Sequence, residues 1–159
     1  MGNKLKKAAL AFTLIFASIP AHAGTGADTK AVEAVFSDYV GGLAEGDLGR
    51  LSRAFAPEGV FVVVKAAKDG KPAMVESRPF KGELHLWAAN PDPTTSGRII
   101  GITVQNDHMS NVQAELDFGA DRYQDNLLLY KIDGRWQIVA KTTYASDRPN
   151  SSAQITDKE

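Results

Sequence analysis

The chain has 159 residues, 43% hydrophobic and 23% charged, with a formal charge of −1 and no cysteine. That is the size and balance of one globular domain and not of a disordered or fibrous segment. The missing cysteine excludes disulfides, thiolate metal sites, thiol nucleophiles and lipoprotein acylation.

Residues 1–23 carry the three parts of a secretory leader: Lys4, Lys6 and Lys7, an apolar run from Ala8 to Ile19, and the small-residue site Ala21-His22-Ala23. The run is too short for the roughly 20 residues that a bilayer span requires. Export to a bacterial periplasm, or secretion, is the expectation, with cleavage before Gly24. The expected product keeps 15 basic residues against 19 acidic ones, a formal charge of −4. Such a surface repels phosphate backbones, so nucleic acid is not an expected partner, and the absence of a basic amphipathic helix removes the membrane surface as well. The organisation expected is a leader over 1–23, a single domain over 24–146 and a polar tail over 147–159.

From Asp28 the pattern is helical, with Val32, Val35, Phe36, Tyr39, Val40 and Leu43 on one face and Asp28 or Thr29 able to cap the start. Gly41 and Gly42 each cost about 1 kcal/mol relative to alanine inside a helix, and Gly46 is a natural stop. Asp47 caps a second, short helix with Leu48, Leu51 and Phe55 on one side. Val60 to Lys65 reads as a strand, Asp69-Gly70 as a turn and Ala73 to Arg78 as the returning strand, which Pro79 ends. The charged run from Lys65 to Lys71 reads as a solvated hairpin. Phe80 to Ala89 is a third helical segment and Asn90 to Gly97 a loop. Four strands follow: Arg98 to Asn106, Ser110 to Phe118, Arg122 to Ile132 and Arg135 to Tyr144.

Asp133-Gly134 is a two-residue hairpin turn, so Ile132 should pair with Arg135. Counting back, Leu129 meets Ile138, Leu128 meets Val139, Leu127 meets Ala140, Asp125 meets Thr142 and Tyr123 meets Tyr144. Val112, Ala114, Leu116 and Phe118 alternate with Asn111, Gln113, Glu115 and Asp117, which fixes the buried face of their strand. A four-residue connection places Phe118 beside Tyr123 and Leu116 beside Asp125. Asp125 therefore falls on the face that packs against the helices, where desolvation would raise its pKa. The other face carries an apolar centre of Leu128, Tyr130 and Val139 with Lys141 beside it, a candidate homodimer surface.

Two further readings depend on the residues alone. Asp125 and Tyr39 are the candidate catalytic pair, one moving a proton and the other polarising a carbonyl, and the competing reading is a structural aspartate satisfied by hydrogen bonds. Phe55, Trp87, Leu116, Tyr123, Trp136, Thr142 and Tyr144 are the candidate lining of a ligand pocket. His85 and His108 do not stand at metal-binding spacing, so neither a metal nor a cofactor is expected. No Gly-x-Ser-x-Gly elbow occurs either.

Two stretches narrow the family. VEAVFSDYVGGLAEGDLGRLSRAFAPEGVF resembles the opening of the putative lumazine-binding branch of the nuclear transport factor 2-like superfamily, in its Tyr-x-x-Gly-Leu, Gly-Asp and Phe-x-Pro elements. YQDNLLLYKIDGRWQIVAKTTY is similar to that branch's closing hairpin, with Asn126 in place of the usual aromatic. The resemblance implies an α+β, cone-shaped, cystatin-like fold: N-terminal helices on a curved antiparallel sheet, a pocket between them, and pairing through the sheet in many members. It does not imply a reaction. Three functions remain open. The first is an exported small-molecule-binding protein, the second a cofactor-free lyase or isomerase with Asp125 as general base, and the third a dimeric interaction module.

Overall fold

A computed structural model describes residues 26–65, 67 and 73–147. The leader, the Asp69-Gly70 turn and the tail beyond Asp147 lie outside the described residues. The elements run α1 (Gly26–Glu45), α2 (Leu48–Ala54), β1 (Phe55–Lys65), β2 (Met74–Pro79), α3 (Phe80–Ala89), β3 (Ser96–Val104), β4 (Met109–Phe118), β5 (Asp121–Ile132) and β6 (Arg135–Asp147). The class is α+β, as the periodicities indicate.

One six-stranded sheet has the order β2-β1-β6-β5-β4-β3. Every neighbouring pair is antiparallel except β1 and β6, which are parallel. The helices cover one face, where Val32, Phe36, Tyr39 and Leu43 of α1 join Leu51, Phe80 and Leu84 and the inward residues of the strands in one core. Asp47 caps α2 by accepting from the Arg50 N–H at 3.0 Å. Asp28 does not act as a helix cap; it is buried inside the first turn of α1, where Lys131 Nζ and Trp136 Nε1 donate to it at 2.6 and 3.1 Å.

The glycine pair in α1 has a packing cause. A Cβ on Gly42 would stand 2.7 Å from Leu51 Cγ, and one on Gly41 would collide with the Arg50 guanidinium. Their lost helix propensity lets α2 lie directly on α1. Arg50 and Arg53 then both reach Asp38 of α1.

The hairpin register holds at the turn and changes beyond it. Asp133 and Gly134 have φ of 49° and 78°, the positive pair that a type I′ turn needs, and Ile132 pairs with Arg135 and Leu129 with Ile138. The next pair is Leu128 with Ala140, so Val139 bulges out of the ladder. All later partners move by one residue: Leu127 meets Lys141, Asp125 meets Thr143 and Tyr123 meets Ala145. The expected pairings of Leu127 with Ala140, Asp125 with Thr142, Tyr123 with Tyr144 and Leu128 with Val139 are corrected accordingly.

The neighbouring strand explains the bulge. β1 pairs Phe55 with Ile138 and then Val60 with Ala140, so its own irregular stretch lies alongside Val139. Gly59 sits so close there that a Cβ would come within 2.4 Å of the Val139 carbonyl oxygen. The β4–β5 connection is also tighter than expected, because Phe118 pairs with Asp121 across Gly119 (φ 61°) and Ala120. Leu116 consequently meets Tyr123, and Asp125 meets Ala114. A shift of two residues preserves the face, and Asp125 still points inward.

Candidate functional site

A one-residue shift reverses which side chains point inward. On β6 beyond the bulge, Lys141, Thr143 and Ala145 are buried, while Thr142 and Tyr144 are exposed on the far face, Tyr144 by 43%. Thr142 and Tyr144 are therefore not pocket residues. Lys141, expected on the outer face, is one of the most deeply buried side chains in the protein at 2% exposure.

Lys141 meets Asp125 there. Its Nζ donates to Asp125 Oδ1 at 2.5 Å, the Thr143 hydroxyl donates to the same oxygen at 2.5 Å, and the Tyr39 hydroxyl donates to Oδ2 at 3.2 Å. Two strands and a helix thus converge on one carboxylate. A buried anion needs this many partners, since an unpaired one would cost several kcal/mol. The Nζ also lies 5.3 Å from the ring centres of Tyr39 and Phe61 and 5.7 Å from that of Tyr123, within the range of cation–π attraction.

Burial acts against charge at both neighbours of the carboxylate. It pushes the Lys141 ammonium pKa below the ordinary lysine value, against the pull of Asp125. It also pushes the Tyr39 hydroxyl well above the ordinary tyrosine value, and the Asp125 charge adds to that rise. Tyr123 is raised to about 12 by desolvation and then by the Asp121 carboxylate.

Lys141 and Tyr39 form the floor of a pocket of about 170 Å³ between the helices and the sheet. Leu43, Phe61, Val63, Trp87, Leu116, Phe118 and Tyr123 form its walls. Lys65, Glu76, Arg78 and Glu83 complete its lining, and the exposure of Lys65 and Arg78 places them at the mouth. Arg78 is bound to both Glu76 and Glu83, so charges at the mouth are paired across β2 and α3. Lys65, the first residue of the charged run, thus belongs to the pocket. Trp87 is fixed by ring contacts with Phe61 at 5.4 Å and Phe55 at 5.5 Å.

Of the residues singled out from sequence, Tyr39, Trp87, Leu116 and Tyr123 line this pocket. Asp125 lies behind Lys141 and Tyr39 and holds them. Phe55 is wholly buried among Tyr39, Phe80 and Trp87, one layer behind the wall. Trp136 is buried and spent on Asp28, so it too is core. Lys141, Thr143, Phe61, Val63 and the charged mouth are additions. A signal for Lys141 did exist: an inward aspartate requires a cation, and Lys141 is one step away in register from the partner assigned to Asp125. His85 and His108 are exposed. Among the described residues no group of three or more His, Cys, Asp or Glu could hold a metal ion, and no helix is long and apolar enough to cross a membrane.

Comparison with known proteins agrees with this architecture. A nuclear transport factor 2-like protein of unknown function from Shewanella baltica is 19% identical, with a TM-score of 0.64 over 79% of this chain and 99% of that one. Another from Silicibacter pomeroyi is 21% identical, with a TM-score of 0.65 over 77% and 99%. A ketosteroid isomerase-like protein from Erwinia carotovora atroseptica is 16% identical, with a TM-score of 0.56 over 78% and 100%. At these identities the likeness is one of fold. No curated protein matches. The family model described as putative lumazine-binding matches residues 27–144, so the chain is a member of that family with a nuclear transport factor 2-like fold.

Proposed function

We propose that the protein is an exported binder of a compact, mostly apolar small molecule, held between the aromatic walls with a hydrogen-bond acceptor directed at Lys141. The family's description and the ring-lined pocket support binding. One observation carries the reading. Among the described residues Asp125 is the single oxygen to which Lys141 donates, yet an ammonium has three N–H groups. The remaining donors are directed among rings at the pocket floor, where a ligand oxygen would satisfy them. Because Asp125 already balances the charge, a neutral acceptor such as a carbonyl suits the site better than a second anion.

The lyase or isomerase reading is weaker on geometry. Both oxygens of Asp125 accept hydrogen bonds, and Lys141 and Tyr39 stand between it and the cavity. A general base must reach the proton that it takes. The experiment for binding is native mass spectrometry of protein purified from its host, together with a fragment screen by NMR. A bound molecule is expected, and Val63→Phe, which adds a ring at the pocket wall, should abolish it with the fold intact. Wild-type protein that is empty in both experiments would sink the proposal.

Export rests on the leader pattern of residues 1–23. A mature N-terminus at Gly24 by mass spectrometry is the expected result, and a retained Lys4 peptide would contradict it. Homodimerisation through the outer sheet face rests on Leu128, Tyr130 and Val139, where Tyr130 and the neighbouring Ile132 are each 38% exposed. Tyr130→Lys should then sediment as a folded monomer while the wild type sediments as a dimer.

A further inference from the structure

We propose that Lys141 is an attachment point: a small aldehyde or unhindered ketone enters the pocket and condenses with Nζ to give a protonated imine held against Asp125. This rests on the pocket-binding reading above and names the chemical class of its ligand. Three features of the geometry point there together. The amine sits at the floor of a pocket with apolar walls that opens at a charged mouth. A carboxylate able to accept and return its proton stands 2.5 Å away. Its remaining neighbours are ring faces, which do not hold a proton and do not compete for the lone pair.

The step balances without any further reagent. Asp125 Oδ1 accepts one proton from the ammonium, and the freed Nζ lone pair attacks the carbonyl carbon while the C=O π pair moves to oxygen. One N–H proton then passes from the nitrogen to that oxygen, which leaves a neutral carbinolamine beside the protonated Asp125. Asp125 returns its proton to the nitrogen, which hands one to the hydroxyl; water departs, and the nitrogen lone pair forms C=N. The ammonium and the carbonyl compound have become an iminium and water. Nζ is a cation before and after the reaction, and while it is neutral Asp125 itself carries the proton, so the dry site never holds an unpaired charge. The Tyr39 hydroxyl on Oδ2 holds the carboxylate in place while Oδ1 moves protons. Desolvation, which lowers the ammonium pKa, favours the free amine that the reaction needs.

The test uses the wild-type chain, benzaldehyde as probe and cyanoborohydride to reduce any imine to a secondary amine, followed by peptide mapping. Lys141 should be alkylated at least about tenfold faster than the exposed Lys30 and Lys81, whose ammonium groups, among the described residues, have no carboxylate and dry pocket built around them. Benzyl alcohol, which has the ring without the carbonyl, should protect Lys141 and leave Lys30 and Lys81 unaffected. Occupancy is followed separately by saturation-transfer NMR of benzyl alcohol on wild type and on Val63→Phe. If benzyl alcohol binds in the wild-type pocket but Lys141 reacts no faster than surface lysines, the imine proposal is overturned and the binding reading stands. If neither binding nor labelling occurs, both fall. Lys141→Met should lose the fast site, and the wild-type map decides the matter even where that variant does not fold.

Discussion

Two Lys–Asp pairs on the same face of the β5–β6 hairpin show what the surroundings do to identical chemistry. At the turn end, Lys131 reaches Asp28 at 2.6 Å with side chains 25% and 12% exposed, and the Trp136 N–H donates to the same carboxylate oxygen. At the far end, Lys141 reaches Asp125 at 2.5 Å with side chains 2% and 0% exposed. The first pair ties the start of α1 to the sheet and keeps contact with water. The second is dry and adjoins the cavity. A partly hydrated pair serves as a staple of modest worth, whereas a dry one is strongly coupled to its surroundings and has donors to offer a ligand.

Breaking the dry pair should have the largest effect. Lys141→Met leaves Asp125 buried with hydroxyl partners only, and urea unfolding should show a loss of about 3–5 kcal/mol. Adding Asp125→Leu to Lys141→Met should recover most of that loss, since no orphaned charge then remains. A single variant within about 1 kcal/mol of wild type would mean that the pair behaves like an exposed one.

The register that separates the two pairs can be attacked directly. Gly59→Ala pushes a Cβ toward the Val139 carbonyl oxygen and the Phe80 ring. The expected cost is about 1–3 kcal/mol, the range for overpacking a tight contact. Hydrogen exchange should speed up in β6 beyond Val139, on the Lys141 side, and change little at Trp136 and Ile138. Gly82→Ala, on α3 with open space around its Cβ, is the control, and should stabilise by about 0.5–1 kcal/mol.

Alkali should distinguish the two ends as well, because tyrosines surround only the dry one. Tyr123 has its folded pKa raised from 10.0 to about 12, and Tyr39 is also raised, by its burial and then by the Asp125 charge. A raised pKa means that the folded state keeps a proton the unfolded state gives up. The stability this represents is complete below pH 10 and is lost as pH rises toward 12. Tyr123→Phe should make the stability curve less steep in that window. An unchanged slope for the variant would show that Tyr123 is solvated.

Much of this arrangement was legible in the residues themselves. The stripe Val32 to Leu43, the alternation Val112 to Phe118 and the Asp133-Gly134 turn each state a period or a turn type that tertiary packing then obeys. The span Phe80 to Ala89 is helical as its composition suggests. The bulge was not legible, because Ala140, Lys141, Thr142 and Thr143 have no apolar alternation to disclose which side is inward. The early start of β1 was hidden by Pro57, Glu58 and Gly59, residues that read as a turn but form the irregular edge beside Val139. The pocket depends on both. Phe61 and Val63 face it only because β1 lies parallel to β6, a pairing between elements far apart in the chain.

The smallest expected effect is at the hydrated pair, and it completes the comparison. Asp28→Asn removes the charge that Lys131 meets but keeps a side-chain oxygen for the Trp136 N–H at 3.1 Å. Lys131, already 25% exposed, can turn its ammonium to water instead of being trapped. Nothing is left both charged and dry, so the loss should be about 0.2–1 kcal/mol and should shrink further in high salt. Lys131→Met should cost a similarly small amount, since Asp28 retains its indole donor. The same pair of substitutions at Asp125 and Lys141 should be several times more costly and nearly insensitive to salt. Denaturant titrations of the four single variants at two salt concentrations measure that contrast. A loss at Asp28→Asn comparable to the loss at Lys141→Met would mean that burial is not what separates the two pairs.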